Sequence, residues 1–446
     1  MSTRAVRRDL VPRRDAFLWW LKLGFVNFGG PAGQIAIMHD ELVDRRRWIS
    51  NERFLHALNF CMLLPGPEAT QLAIYVGWLL NGTLGGIVAG VLFVLPAFLL
   101  ILGLSWTYAV HGDVTWVAAV FYGLRSAVIG LVVAAVIRVG SKALKTPAAW
   151  AVAAAAFVSI FFFDVPFPLI VLGAAIAGLA GSRIDARWWP VGGHADEQED
   201  HVLSGDEVER VVPTWRRSVG VLLLGLAVWW GPLLAVLLWR GTGDTLSKEA
   251  VFFSQAALVT FGGAYAVLSY INQAAVQTYG WLAPGQMVTG LGLAESTPGP
   301  LIMVTEFVGF LGGYNFPGGL DPVVAGILGA TVTTWATFAP CFLWIFLGAP
   351  YVERLRDKQG LNAALSAITA AVVGVILNLA VTFAAFALFE DVDGARGFPV
   401  PDLSSIDAFA AALAVAAFVA LWRYRLNVVA VVLASAGAGL LYRSLA

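Results

Sequence analysis

Three acids and two cations stand inside or beside apolar stretches of this 446-residue chain, most of them close to glycine-proline breaks. Glu68, Glu295 and Glu306 are carboxylates that could carry a proton or answer a bound charge, and Arg125 and Lys22 could hold an anion. Arg125 lies about ten residues into an apolar span, where an unpaired guanidinium costs at least ~2.5 kcal/mol, so it marks a pathway or a buried partner. Its rigid fork of donors suits a tetrahedral oxyanion, while snorkelling or pairing with an intramembrane Glu are the plainer alternatives. Lys22, six residues before Phe28, is either a second site cation or a structural charge.

The breaks themselves recur. Phe28-Gly29-Gly30, Trp48 and Pro65-Gly66-Pro67 return as Phe261-Gly262-Gly263, Trp281 and Pro298-Gly299-Pro300, each 233 residues later without a gap. The chain is therefore an internal duplication, and the duplicated feature is a pair of helix breakers, as at irregular backbone sites inside membranes. Gly29-Gly30-Pro31 ends one helical piece and begins another, because Gly tolerates helix-end conformations and Pro suits a first helical position. Each new half-helix would present unpaired N–H groups and a positive dipole end, which can bind a dehydrated anion without a full positive charge. The candidate substrate-binding set is Lys22, Asn27, Phe28, Gly29, Gly30, Pro31, Gln34, Pro65, Gly66, Pro67, Thr70, Gln71, Arg125, Phe261, Gly262, Gly263, Thr297, Pro298, Gly299 and Pro300. The bland alternative is that these Gly and Pro residues only kink or close-pack helices.

Composition says what must position them. With 59% hydrophobic and 13% charged residues and a mean hydropathy of +0.77, the chain is expected to be an all-α polytopic membrane protein rather than a soluble domain. The alternating strands of a membrane barrel are absent, and nothing suggests nucleic-acid binding. Cys61 and Cys341 sit apart in apolar runs and read as packing residues. No grouping of His, Cys and carboxylate fits a metal centre or a nucleophile with its base, so neither an enzyme nor a cofactor is expected.

About thirteen hydrophobic segments can be counted. They divide into a basic N-terminus (1–15), a first repeat (16–181), a polar linker (182–216), a linking helix (217–239) and a second repeat (250–446). Seven segments separate the starts of the two halves, so the repeats should be inverted. Cytoplasmic loops carry an excess of Lys and Arg, which tests the detail. If each broken pair dips in and returns as re-entrant hairpins, 22 of the 28 basic residues fall inside and 4 outside; full spanning worsens this to 18 against 8. Re-entrant hairpins are expected, in a multi-pass protein of the cell membrane with a cytoplasmic N-terminus.

The run Phe28-Gly29-Gly30-Pro31-Ala32-Gly33-Gln34, the stretch Leu64-Pro65-Gly66-Pro67-Glu68-Ala69-Thr70-Gln71-Leu72-Ala73 ending in Tyr75-Val76-Gly77-Trp78, and Thr297-Pro298-Gly299-Pro300 resemble the chromate ion transporter family in its long, two-domain form. The resemblance implies fused, oppositely oriented halves and secondary transport: export of chromate from the cytoplasm, with sulfate as the related oxyanion, driven by membrane potential or a proton gradient. Uptake of sulfate or a passive anion channel is the alternative. Besides substrate, membrane lipid and a homodimeric partner are conceivable associations.

The copies are unequal. Ala264 and Tyr265 replace Pro31 and Ala32, Leu301 replaces Glu68, and beyond the motifs the offset becomes 240, which sets Arg125 opposite Leu365. One asymmetric site is therefore expected. Glu68 either fills the anion site when substrate is absent, caps its half-helix, or shares with Glu295 and Glu306 the role of coupling or gating group.

Overall fold

The computed structural model describes residues 11–184, 189, 214–261, 264–349, 359–393 and 398–445. Gly262 and Gly263, the first N-terminal arginines and most of the 182–216 linker lie outside the described residues. The first half comprises α1 (Arg13–Val26), α2 (Gly30–His39), α3 (Asn51–Leu63), α4 (Glu68–His111), α5 (Thr115–Ala143), α6 (Pro147–Phe163) and α7 (Phe167–Ile184). After α8 (Trp215–Arg240), the second half comprises α9 (Thr245–Val259), α10 (Ala264–Asn272), α11 (Gln286–Ser296), α12 (Val304–Asn315), α13 (Pro322–Gly348), α14 (Gln359–Leu388), α15 (Ala408–Trp422) and α16 (Val428–Leu445). Of these, α4, α5, α7, α8, α13, α14 and α16 are long and apolar enough to cross a membrane, and the protein is an all-α polytopic membrane protein. A two-residue β-ribbon, Val392–Asp393 with Val400–Pro401, decorates the α14–α15 loop.

The duplication extends to fine backbone detail. A π-helical turn follows α2 at Asp40–Arg45 and follows α10 at Gln273–Thr278, in the same 233-residue register as the motifs. Helix α4 is really a hairpin. At Asn81 and Gly82 the backbone leaves helical geometry, and a Cβ on Gly77 would lie 2.6 Å from both the Gly85 carbonyl and the Ala89 methyl, a contact possible only if the chain doubles back. Its counterpart is the pair α12 and α13, joined by 316–321, where Gly309 and Gly313 meet Gly329 and Ala325.

Both broken pairs re-enter. If α1, α2 and the following turn ran in one direction, Arg46 would end up roughly 40 Å from Trp19 at 1.5 Å per residue. Instead the Arg46 guanidinium sits 5.5 Å from the Trp19 ring on α1 and 4.8 Å from Trp48. In the second half Tyr279 stacks on Trp281 at 4.3 Å, and these rings meet Phe252 and Phe253 of α9. Asn315 Nδ2, at the far end of α12, donates to the Trp281 carbonyl at 2.9 Å. Each half therefore inserts two hairpins, α1/α2 and α3 with 68–80, or α9/α10 and α11/α12, from one face.

The faces are opposite. Asn81 Nδ2 donates to the Val11 carbonyl at 2.7 Å, placing the hairpin bases of the first half at the start of the spanning stretch 83–111. Gln286 Nε2 donates to the Tyr108 hydroxyl at 3.3 Å, placing a base of the second half at its end, ~40 Å away. The hairpin tips meet between them. A Cβ on Gly299 would lie 2.2 Å from that of Ala97, the midpoint of 83–111.

Two measurements check this arrangement. A cysteine replacing Arg46 should be labelled by an impermeant reagent from the same face as one replacing the exposed Arg14, and from the opposite face to one replacing Asp113. Gly299→Ala should lower thermal stability in detergent by about 2–5 kcal/mol through left-handed strain and overpacking, while Gly30→Ala, with open space around it, should cost only about 1–2.

Candidate functional site

Four interrupted backbones converge at mid-depth, and a reciprocal pair of hydrogen bonds joins them. Gly66 N–H donates to the Thr260 carbonyl at 2.8 Å, and Gly299 N–H donates to the Asn27 carbonyl at 3.2 Å. Since Thr260 and Gly299 stand 233 residues after Asn27 and Gly66, each half makes to the other the bond it receives, the mark of a pseudo-two-fold axis. Both glycines hold φ near +125°. That conformation turns the N–H outward across the axis, and it is one that side-chain-bearing residues rarely adopt.

Around this crossing α2, α4 and the 3-10 turn Leu301–Met303 begin, preceded by Gly29, Pro67 and Pro300, with no side-chain cap on any of the three. Their first N–H groups thus lack intrahelical acceptors and retain the positive end of the helix dipole. Phe28 and Phe261 are half-buried at their tips, and Pro65, Pro67, Pro298 and Pro300 shape the turns. Gln34 is the principal side-chain lock. Its Nε2 donates to the Asn27 carbonyl at 3.1 Å and, in a shorter bond, to the Gly299 carbonyl of the other half. Gln71 Nε2 likewise braces the Pro65 carbonyl at 2.8 Å. Thr297 instead turns its hydroxyl back to Leu293 O.

Several polar atoms here have no partner among the described residues. Both amide atoms of Asn27, the Thr70 hydroxyl and the Oε1 atoms of Gln34 and Gln71 are buried and unpaired. Asn27 and Thr70 offer N–H and O–H donors, and no Lys or Arg stands within 27–31, 64–71 or 297–301. Such a site can bind an anion by dipoles alone, without a permanent counter-charge that would hold it too tightly to release.

The charged candidates are more dispersed. Lys22 is exposed on α1, on the same side as Leu18 and Phe25, and does not face the crossing. Arg125 also stands apart. Its Nε donates to Thr289 Oγ1 at 2.6 Å and its Nη2 to the Tyr108 hydroxyl at 3.2 Å, on the wall of a 750 Å³ cavity whose lining includes Gln286, Asn315 and Arg443 but no tip residue. Hydroxyl partners, rather than a glutamate, satisfy the guanidinium. Glu68 is half-buried in the first turn of α4. Glu295 accepts a short hydrogen bond from the Tyr265 hydroxyl. Glu306 is fully buried with both oxygens unpaired.

Tyr265, Tyr108, Thr289 and Glu249 were not among the residues singled out by motif. Tyr265 had a signal, since it replaces Ala32 of the first copy, and Glu249 likewise replaces Ala16. Tyr108 and Thr289 carried none.

Inverted halves, re-entrant hairpins and uncapped half-helices meeting at mid-depth define the class: a polytopic membrane transporter. The sequence profile of the chromate transporter family matches residues 14–179 and 248–440, and the chain belongs to that family. It is 34% identical over 432 residues to the chromate transport protein of Pseudomonas aeruginosa, covering 95% of this chain and 91% of that one. Identity is 30% over 375 residues with the chromate transport protein of Cupriavidus metallidurans, covering 83% and 82% of the respective chains. An uncharacterized transporter of Bacillus subtilis is 33% identical over 134 residues, which make up 30% of this chain but 68% of that shorter one. No solved structure matches the chain.

If Gln34 locks the halves together, Gln34→Leu should destabilise the protein by about 1–3 kcal/mol, because the Gly299 carbonyl is left buried without its side-chain donor. Thermal unfolding in detergent measures this. Thr70→Val, which removes a hydroxyl with no protein partner, should change stability by no more than about 0.5 kcal/mol.

Proposed function

We propose that the protein is a secondary transporter that carries chromate out of the cytoplasm, with sulfate as a related substrate. The observation that carries this reading is the group of unpaired donors on Asn27 and Thr70, set among uncapped half-helix N-termini at mid-depth. A tetrahedral dianion arriving there exchanges water for backbone N–H, amide and hydroxyl donors. Family membership and the names of the two relatives make chromate the dianion of choice.

In this reading the face bearing the N-terminus and Arg46 is cytoplasmic, in line with the basic-residue excess of the loops assigned to it. The two matching units, about 16–181 and 250–446, flank a cytoplasmic linker and the helix α8 that reverses the second copy. Arg125 serves as a station on the far side. Its cavity draws the released anion away from the crossing, while Tyr108 and Thr289 hold the guanidinium at the wall. Glu68, at the N-terminus of α4, favours departure by repelling an anion beside it. Glu295 and Glu306 remain gating groups close to the same tips.

Flux in proteoliposomes tests the proposal. Chromate should move across the membrane with an imposed voltage or pH gradient, and sulfate should compete; if neither anion moves in either direction, the assignment fails. Thr70→Val should weaken apparent chromate affinity about tenfold while leaving the fold intact, and Arg125→Leu should slow chromate release to the far side.

A further inference from the structure

Taking the transport reading as given, we propose that Glu249 is a proton-binding site that couples the second half's hairpins to the crossing. Glu249 is completely buried, and neither carboxyl oxygen has a hydrogen-bond partner. Its seat is built by missing side chains. A Cβ on Gly312 of α12 would lie 2.3 Å from Oε1, and one on Gly329 of α13 would lie 2.9 Å from Oε2, so only glycine at both positions leaves room for the carboxyl. Trp281 closes the side of the seat, its ring 3.2 Å from the same Gly312 position.

Among the described residues no cation balances this acid. On its own helix Asp244 is acidic and Lys248 is exposed, while on α8 Arg240 is engaged by Asp244 at 2.9 Å and by the Gly318 carbonyl. Helix α12 brings Glu306 and Tyr314, α10 and its following turn bring Tyr265, Tyr270 and Tyr279, and α13 carries no charged residue. A bare carboxylate cannot be held in such a place without large cost, whereas a neutral carboxyl can. Packing alone does not require an acid here. At the corresponding positions the first copy has Ala16, Leu79 and Ala89, all apolar and buried.

The seat is mechanically tied to the substrate site. From Glu249 to Thr260 is about 16 Å of helix α9, and the Thr260 carbonyl is the acceptor of the Gly66 N–H at the crossing. Loss of the proton, –COOH to –COO⁻ with H⁺ passing to the aqueous face of the second half, leaves a charge that must leave its glycine seat. Helix α9 then tilts from α12 and α13 and takes the Thr260 acceptor with it. Protonation restores the docked hairpin. Proton occupancy at one face thereby selects whether the tips are joined, which is the form of linkage a coupled transporter needs.

The test uses the full chain in proteoliposomes and separates two fluxes. Chromate–chromate exchange requires no net proton movement, whereas uphill chromate flux driven by a pH gradient alone does. Glu249→Gln, a mimic of the neutral carboxyl, is expected to lose pH-driven flux and to flatten the pH profile, while Glu249→Asp retains part of both. A second measurement reads bound protons directly. Wild-type protein in weakly buffered solution should change its bound protons when chromate is added, and Glu249→Gln should not. PH-driven flux in Glu249→Gln equal to wild type, or the same proton change in both, overturns the proton role while leaving transport standing. Absence of chromate exchange in the wild type overturns the transport reading itself.

Discussion

Two backbone hydrogen bonds, Gly66 N–H to Thr260 and Gly299 N–H to Asn27, are the constraint on which the architecture rests. Hairpin tips inside a membrane expose peptide groups where there is no bulk water to receive them, and each one left unpaired costs several kcal/mol. One half cannot solve this alone. The acceptor for each tip glycine is the carbonyl that ends the first helix of the other half. Duplication and inversion are thus physical requirements of the tips, and the positive φ of both glycines follows from the need to aim an N–H across the axis.

A shared backbone leaves the two halves free to differ in side chains, and they differ in a consistent way. The first copy contributes the amides Gln34 and Gln71 to the crossing, where the second has Val267 and Val304. The second copy contributes buried acids, Glu249 and Glu306, where the first has Ala16 and Ala73. Neutral donors therefore gather at the centre, while among the described residues the buried acids lie along the hairpins of the second half. In the proposed cycle this division would separate substrate recognition from energy coupling, with α9 and α12 as the helices that connect them.

Much of this was legible in the sequence because helix breakers are conspicuous among apolar residues. The 233-residue register and the tips themselves follow from Gly and Pro positions, the all-α polytopic class from the long apolar runs, and re-entry was expected from counting Lys and Arg on loops. Partnerships across large sequence distances were hidden. Nothing in the surroundings of Arg125 announces that Thr289, 164 residues away, will meet its Nε, or that Tyr108 will take its Nη2. The π-helical turns were equally invisible, since they arise from how a hairpin arm returns to its base rather than from a residue pattern. Glu249 escaped notice because it stands at the lip of a hydrophobic segment, where an acid ordinarily meets water. Only the glycine seat shows that it does not.

The turn from the fourth arm into the spanning helix that follows it differs between the two halves. In the first copy it is the two residues Asn81 and Gly82; in the second it is the six-residue loop 316–321. A two-residue turn transmits torque, because its few dihedrals cannot absorb a rotation, whereas a six-residue loop yields. The molecule is therefore a stiff clamp facing a compliant one. In the proposed cycle, parting of the tips would collect displacement on the side of the longer loop, with the first half as the anvil against which the second half works.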